Sequence, residues 1–145
     1  MFFKKHNLNY MLNTKKIYFT FVKIILDTNA LLMPFQFKIN IDAELKRLFG
    51  SVEILVPDCV IKELHGINIK EEIRKSALML SKKYKRVESY KEGDEGVLET
   101  AINTNSAILT NDIELKKNAI KKGVMVVSMR GKNHLYICGR GKEEW

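Results

Sequence analysis

Four acidic residues stand where the sequence pattern changes direction. Asp27 follows the apolar run Ile24-Ile25-Leu26, Glu63 lies in Val60-Ile61-Lys62-Glu63-Leu64, Asp94 opens Asp94-Glu95-Gly96-Val97, and Asp112 follows Ile108-Leu109-Thr110-Asn111. Carboxylates brought together raise one another's pKa and resist joint ionisation. A hard divalent cation removes that conflict, because Mg²⁺ and Mn²⁺ prefer oxygen donors. An ion held this way activates water, and two ions can flank an in-line displacement at a phosphodiester. Taken singly, each acid has a plainer account. Asp27-Thr28-Asn29 also reads as a strand-end turn. Asp94 and Asp112 read as helix N-caps, Glu95 as a first-turn partner of the helix dipole, and Glu63 as a solvated helix residue. Independent caps, however, have no reason to fall at one edge of a sheet in this order.

Short β-branched runs at 23–26, 52–56, 86–90, 107–110 and 124–128 read as strands, and 135–138 as a last edge strand. Between them the spacing predicts a helical turn at 30–33 stopped by Pro34 and a helix over 42–49 capped by Asp42 with Gly50 beyond its end. Further helices are predicted at 57–65 closed by Gly66, at 71–84, at 94–103, and at 112–122 ended by Gly123. Ile73, Ala77, Leu78, Leu80 and Tyr84 form the apolar side of the 71–84 helix, and Val97, Leu98, Ala101 and Ile102 that of 94–103. Strands alternating with helices are the mark of an α/β fold, a three-layer α/β/α arrangement around a central parallel sheet. In such sheets, function sits at the carboxyl ends of the strands. Asp27 and Asp112 then emerge on one edge, with Glu63 and Asp94 joining from flanking helices, as exposed acids over a buried floor. Ile24, Ile25, Leu26, Ile54, Val56, Ile108, Leu109, Val124, Val126 and Val127 form the expected sheet interior. Met79, Met125 and Met129 read as gap-fillers, and Cys59 as small apolar packing.

A chain of 145 residues, 46% hydrophobic and 29% charged, suits one globular domain and excludes a disordered or low-complexity protein. Cys59 and Cys138 are far apart and fit neither a disulfide framework nor a zinc site, which points to a reducing cytoplasm. The best apolar stretch, 17–26, is too short for a membrane span and is broken by Lys23. The net charge of +8 is uneven. Residues 1–23 carry five lysines and no acid, and the C-terminal end adds Arg130, Lys132, Arg140 and Lys142, whereas 24–128 is nearly balanced. Basic ends around a near-neutral body suit a polyanion such as RNA. We expect 1–22 to be a poorly ordered extension or the product of a start assigned too early, with Met11 and Val22 as alternative starts. Residues 23–129 form the expected domain, and 130–145 a basic tail carrying the edge strand.

From Lys23 to Met129 the sequence resembles the PIN-domain nucleases. The resemblance rests on Ile-Leu-Asp27-Thr28-Asn29, Val-Pro-Asp-Cys-Val-Ile-Lys-Glu63-Leu, Gly-Asp94-Glu-Gly-Val-Leu-Glu-Thr-Ala and Ile-Leu-Thr110-Asn111-Asp112-Ile-Glu-Leu-Lys-Lys, in that order. It implies a Mg²⁺- or Mn²⁺-dependent endoribonuclease acting on single-stranded RNA. It carries the catalytic, metal-binding acid roles onto Asp27, Glu63, Asp94 and Asp112. On this reading Asp27 and Asp112 hold the metal directly, and Glu63 and Asp94 complete the site, one of them through water. Asn29 and Thr110 match the family's polar positions that orient a metal water or a phosphate oxygen, and Glu95 and Glu114 are candidates for an extra carboxylate. Arg130 and Lys132 are the expected RNA-binding cations. Only 31 positions separate Glu63 from Asp94. That short interval looks more like the PIN nucleases of ribosomal RNA processing than the toxin type silenced by a small antitoxin. The implied partners are thus single-stranded RNA, a second copy of the chain, and either a ribosomal precursor particle or an antitoxin-like protein.

Other chemistries fit poorly. An aspartate-nucleophile phosphatase needs a second acid two residues after the first, where Asn29 stands. Neither a Gly-rich dinucleotide turn nor a P-loop follows the first strand. His6, His65 and His134 sit in no nucleophile context. A non-enzymatic RNA-binding module, stacking bases on Tyr18, Phe19, Phe21 and Tyr136, is the remaining rival.

Overall fold

The computed structural model describes residues 21–140. The expectation for the N-terminal extension therefore lies almost wholly outside the described residues. Val22 is the first residue of β1 (Val22–Leu26). There follow α1 (Thr28–Gln36), α2 (Ile41–Phe49), β2 (Val52–Pro57), α3 (Asp58–Gly66), α4 (Glu71–Ser81), β3 (Lys85–Val87) and α5 (Gly93–Thr104). The chain continues through β4 (Ala107–Leu109), α6 (Ile113–Lys121), β5 (Met125–Arg130) and β6 (His134–Arg140). The six strands form one sheet in the order β3-β2-β1-β4-β5-β6. The first five run parallel and β6 is antiparallel to β5, which confirms the α/β class and the edge strand expected within 130–145. Helices α5 and α6 lie against β1, β4 and β5, and α2 lies against β2 and reaches β6.

Sheet order explains where the chemistry collects. From β1 the chain first works outward to β2 and β3, then returns to place β4 on the other side of β1. The gap between β1 and β4 is thus a topological switch point, where the connections leaving the two strands diverge and open a crevice at their carboxyl ends. Leu26 of β1 pairs with Leu109 of β4, so Asp27 and Thr110 leave the sheet side by side. Beneath them every residue of the expected sheet interior is buried, with Ile24, Ile25, Leu26, Ile108, Leu109, Val126 and Val127 fully enclosed.

Several local expectations are corrected. Pro34 does not stop a helical turn but lies inside α1. The ring removes one backbone donor, yet the Phe37 N–H still reaches the Met33 carbonyl at 2.8 Å, and Ala30, Leu31, Leu32 and Met33 bury the helix face that holds it. Asn40, not Asp42, caps α2, its side chain accepting the Ala43 N–H at 2.9 Å. Asp42 instead accepts the Tyr84 hydroxyl at 3.1 Å and pairs with Lys83 at 2.9 Å. Tyr84 itself lies past the end of α4, which closes at Ser81. On α4, Met79 is 67% exposed and fills no gap; on α5, Ile102 is 48% exposed, facing outward. The strand expected over 86–90 is the three residues of β3, after which Ser89 leaves the sheet to accept the Cys59 N–H at 2.8 Å. No helix among the described residues is long and apolar enough to cross a membrane.

The start of α5 is set by a close approach. A Cβ on Gly96 would stand 2.2 Å from the Lys91 carbonyl oxygen and 2.8 Å from Cys59 Sγ. Only a glycine lets α5 lie this near α3 and the preceding loop. Replacing Gly96 with Ala should lower stability by about 1–3 kcal/mol through overpacking, read as a fall in the urea midpoint. An unchanged midpoint would show that this approach is loose.

Candidate active site

The site is built outward from Asp27. Its backbone N–H extends the β1–β4 ladder to the Leu109 carbonyl at 3.4 Å. One carboxylate oxygen accepts the Ala30 N–H at 2.8 Å, capping α1, and the other accepts the Thr110 hydroxyl. Asp27 is only 6% exposed, which corrects the expectation of an exposed acid at this position. Burial is the main reason its pKa is pushed up to about 7; the Thr110 and Ala30 hydrogen bonds oppose the rise, and the charges of Asp94 and Asp112 add to it.

Thr110 is fully buried and works in two directions. Its hydroxyl donates to Asp27 and accepts the Asp112 N–H at 2.9 Å, so one oxygen ties the acid of β1 to the acid after β4. Asp112 in turn caps α6, accepting the Leu115 N–H at 2.9 Å. The plainer reading of Asp112 as a cap therefore holds alongside its place at the site; Asp27, read as a turn residue, is also a cap, whereas Asp94, read as a cap, lies inside the first turn of α5. Asn29 Oδ1 accepts the Asn111 N–H at 3.2 Å, and Asn111 Oδ1 accepts the Met129 N–H at 2.9 Å. These two bonds tie the loop after β4 to the first turn of α1 and to the end of β5.

Glu63 and Asp94 reach this edge from α3 and α5. The Thr28 hydroxyl, one residue beyond Asp27, donates to Glu63 Oε1 at 2.6 Å. Asp94, in the first turn of α5, has its pKa raised by partial burial and then by the charges of Asp112 and Glu63. The fold thus brings Asp27, Asp94 and Asp112 into one electrostatic field and seats Glu63 beside them. Glu95 and Glu114 are also in first helical turns, but both are exposed and neither is among the charges acting on Asp27 or Asp94. Arg130 ends β5 at the same edge, and Lys132 lies in the turn beyond it. Sequence reasoning gave no role to Thr28, Asn111 or Ser128. Ser128 is buried and its hydroxyl donates to the Thr110 carbonyl. A lone hydroxyl in the apolar strand Met-Val-Val-Ser-Met was the available signal for it. The partnerships of Thr28 and Asn111 are long-range and leave no trace in spacing.

Many acids elsewhere on the surface carry a basic partner. Asp42, Glu44, Asp58, Glu71 and Glu92 each pair with a Lys or Arg. Among the described residues, Asp27, Glu63, Asp94 and Asp112 pair with none. Oxygen donors without a protein counter-charge, two of which, Asp27 and Asp94, have raised pKa values from burial and neighbouring carboxylates, fit a hard divalent cation. Among the described residues no three His, Cys, Asp or Glu side chains stand close enough together to hold an ion by themselves. Mg²⁺ keeps several waters and can be bound through only one or two carboxylates. A cavity of about 520 Å³ opens elsewhere, at the amino ends of the strands among Phe21, Asp42, Lys46, Glu53, Lys83 and Tyr84. None of the four acids lines it.

An α/β/α fold with acids brought to its switch point from two strand ends and two helices defines the class, and the chain belongs to the PIN-like domain family, which matches residues 24–132. Among curated proteins it is similar to Ribonuclease VapC4 of Methanocaldococcus jannaschii, 30% identical over 127 residues that cover 81% of this chain and 97% of that protein. It is also similar to Ribonuclease VapC9 of Archaeoglobus fulgidus, 28% identical over 118 residues, 78% of this chain and 87% of that protein. Among solved structures, the PIN domain endonuclease Utp24 superposes with a TM-score of 0.69 at 22% identity, over 85% of this chain and 92% of that one. At that identity the likeness is one of fold.

The buried carboxylate sets a pH dependence. Its pKa in the folded chain, about 7, lies above the ordinary 3.8, so the folded state holds a proton that the unfolded state releases. Stability from this group is greatest below about pH 4 and is lost as pH rises through about 7, by about 4 kcal/mol in all. Asp27→Asn should therefore raise Tm in EDTA at pH 8, with the gain shrinking towards pH 4. A gain that does not change with pH would contradict this assignment.

Proposed function

We propose that this chain is a Mg²⁺- or Mn²⁺-dependent endoribonuclease that hydrolyses phosphodiester bonds of single-stranded RNA in the cytoplasm. The observation that carries this reading is the unpaired carboxylate set at the β1–β4 switch point, in a member of a family whose similar curated proteins are ribonucleases. Asp27 and Asp112 would hold the ion, with Glu63 and Asp94 completing the site. When bound, the ion would supply water activation and stabilise charge on the phosphate oxygens. Thr110 fixes the Asp27 and Asp112 groups relative to each other, and Thr28 fixes Glu63. Asn29 holds the Asn111 backbone, so its own role at the site is to set loop geometry. Arg130 and Lys132 would meet the phosphate backbone beyond the acids.

Two roles in the cell fit this chemistry. Relatedness to VapC ribonucleases over nearly their full length favours the toxin type, held silent by a small partner protein. The short interval between Glu63 and Asp94 favours ribosomal RNA processing, within a precursor particle. A homodimer is compatible with either.

The test compares the wild type with Asp94→Asn on a mixed-sequence single-stranded RNA in Mn²⁺, Mg²⁺ or EDTA. Asp94 is exposed and makes no hydrogen bond or ion pair among the described residues, so the variant should fold normally. We expect cleavage that requires the metal and falls by at least a hundredfold, roughly the loss of about 3 kcal/mol of transition-state stabilisation, in the variant. Equal cleavage by both proteins would overturn the site. Metal-independent RNA binding without cleavage would favour the binding-module reading.

A further inference from the structure

The hairpin joining β5 to β6 carries a feature that acid chemistry does not use. The Arg130 guanidinium lies over the Tyr136 ring, 4.1 Å from its centroid. Arg130 is exposed and Tyr136 half-buried, so the ring backs the guanidinium and leaves its outer plane to solvent. Neither Arg130 nor Lys132 takes part in an ion pair among the described residues, whereas Arg47, Lys62, Arg74, Lys83 and Arg86 do. An arginine already stacked and not neutralised is pre-organised for a ligand that offers both a flat face and negative charge.

Both legs of the hairpin are pinned. On the β6 leg, Leu135 gives its N–H to Glu44 at 2.9 Å and its carbonyl to Arg47 at 2.7 Å. On the β5 leg, the Met129 N–H donates to Asn111 at 2.9 Å. Asp112 is the residue after Asn111 and Arg130 the residue after Met129, so the stack and the acid lie one step beyond the same hydrogen bond.

We propose that the Arg130–Tyr136 stack is a nucleobase subsite. A base of the single-stranded substrate, next to the phosphate at the acids, stacks on the outer plane of Arg130, while the guanidinium edge and Lys132 take the flanking phosphates. Unstacked bases of single-stranded RNA are commonly held on arginine planes and aromatic rings, with little sequence preference. This rests on the ribonuclease reading for its substrate, but it is tested by binding alone.

The experiment measures fluorescence anisotropy of a labelled mixed-sequence single-stranded RNA in EDTA, across a salt series, in an Asp94→Asn background. Arg130→Lys keeps the charge and loses the plane. It should weaken binding by about tenfold with little change in salt slope. Tyr136→Leu should act like Arg130→Lys, and Tyr136→Phe, which keeps the ring, should bind like the parent. Melting curves confirm that each variant folds. Parent-like binding by Arg130→Lys, equal binding by Tyr136→Leu and Tyr136→Phe, or no binding by the parent overturns the subsite. A failed nuclease reading would show differently, as RNA binding by the wild type without metal-dependent cleavage.

Discussion

The hydrogen bond from the Thr110 hydroxyl to the Asp27 carboxylate joins the two strands that flank the switch point. Burying a carboxylate is costly unless it is hydrogen-bonded or neutralised. Asp27 meets that cost with the Thr110 hydroxyl on one oxygen and the Ala30 N–H on the other. The same two bonds start α1 and, through the Asp112 N–H, help to start α6. One polar contact in an apolar sheet thereby sets the direction of two helices and the spacing of two acids.

Around that contact the edge is held by bonds that cross elements. Thr28 reaches Glu63 on α3, Asn29 reaches Asn111, Asn111 reaches Met129, and Ser128 reaches the Thr110 carbonyl. These polar side chains thus find partners on other segments of the chain. The result is a rigid rim on which the acids stand with their negative charge uncompensated by the protein. That is a poor design for stability, since burial and mutual repulsion work against ionisation at Asp27 and Asp94. It is a coherent one for holding a cation together with a phosphate.

Much of this was legible in the sequence, for physical reasons. The β-branched runs of β1, β2 and β5 are strands whose interior residues are buried, and the glycines at 50 and 123, with φ of 79° and 78°, end helices where no side chain would be comfortable. Parallel order then forces Asp27 and Asp112 to one edge. What spacing could not show was contact at a distance. Pro34 lies inside α1, a helix whose preceding residues Ala30 to Met33 are buried, and Tyr84, bonded to Asp42, lies past the end of α4. Asp27 reads as a turn residue in sequence yet is enclosed in the fold, since enclosure depends on β4, more than eighty residues away. Met79 and Ile102 carry apolar side chains to the surface, which periodicity alone assigns inward.

The central claim is that the unpaired acids exist to hold a divalent cation. Its most direct measurement is binding of Mn²⁺ itself, followed by the electron paramagnetic resonance signal of the free ion as wild type or Asp27→Asn protein is added without RNA. The account predicts that the wild type depletes the free-ion signal saturably, that Mg²⁺ restores it by competition, and that the variant binds at least tenfold more weakly. Equal depletion by both proteins, or none by the wild type, would contradict it.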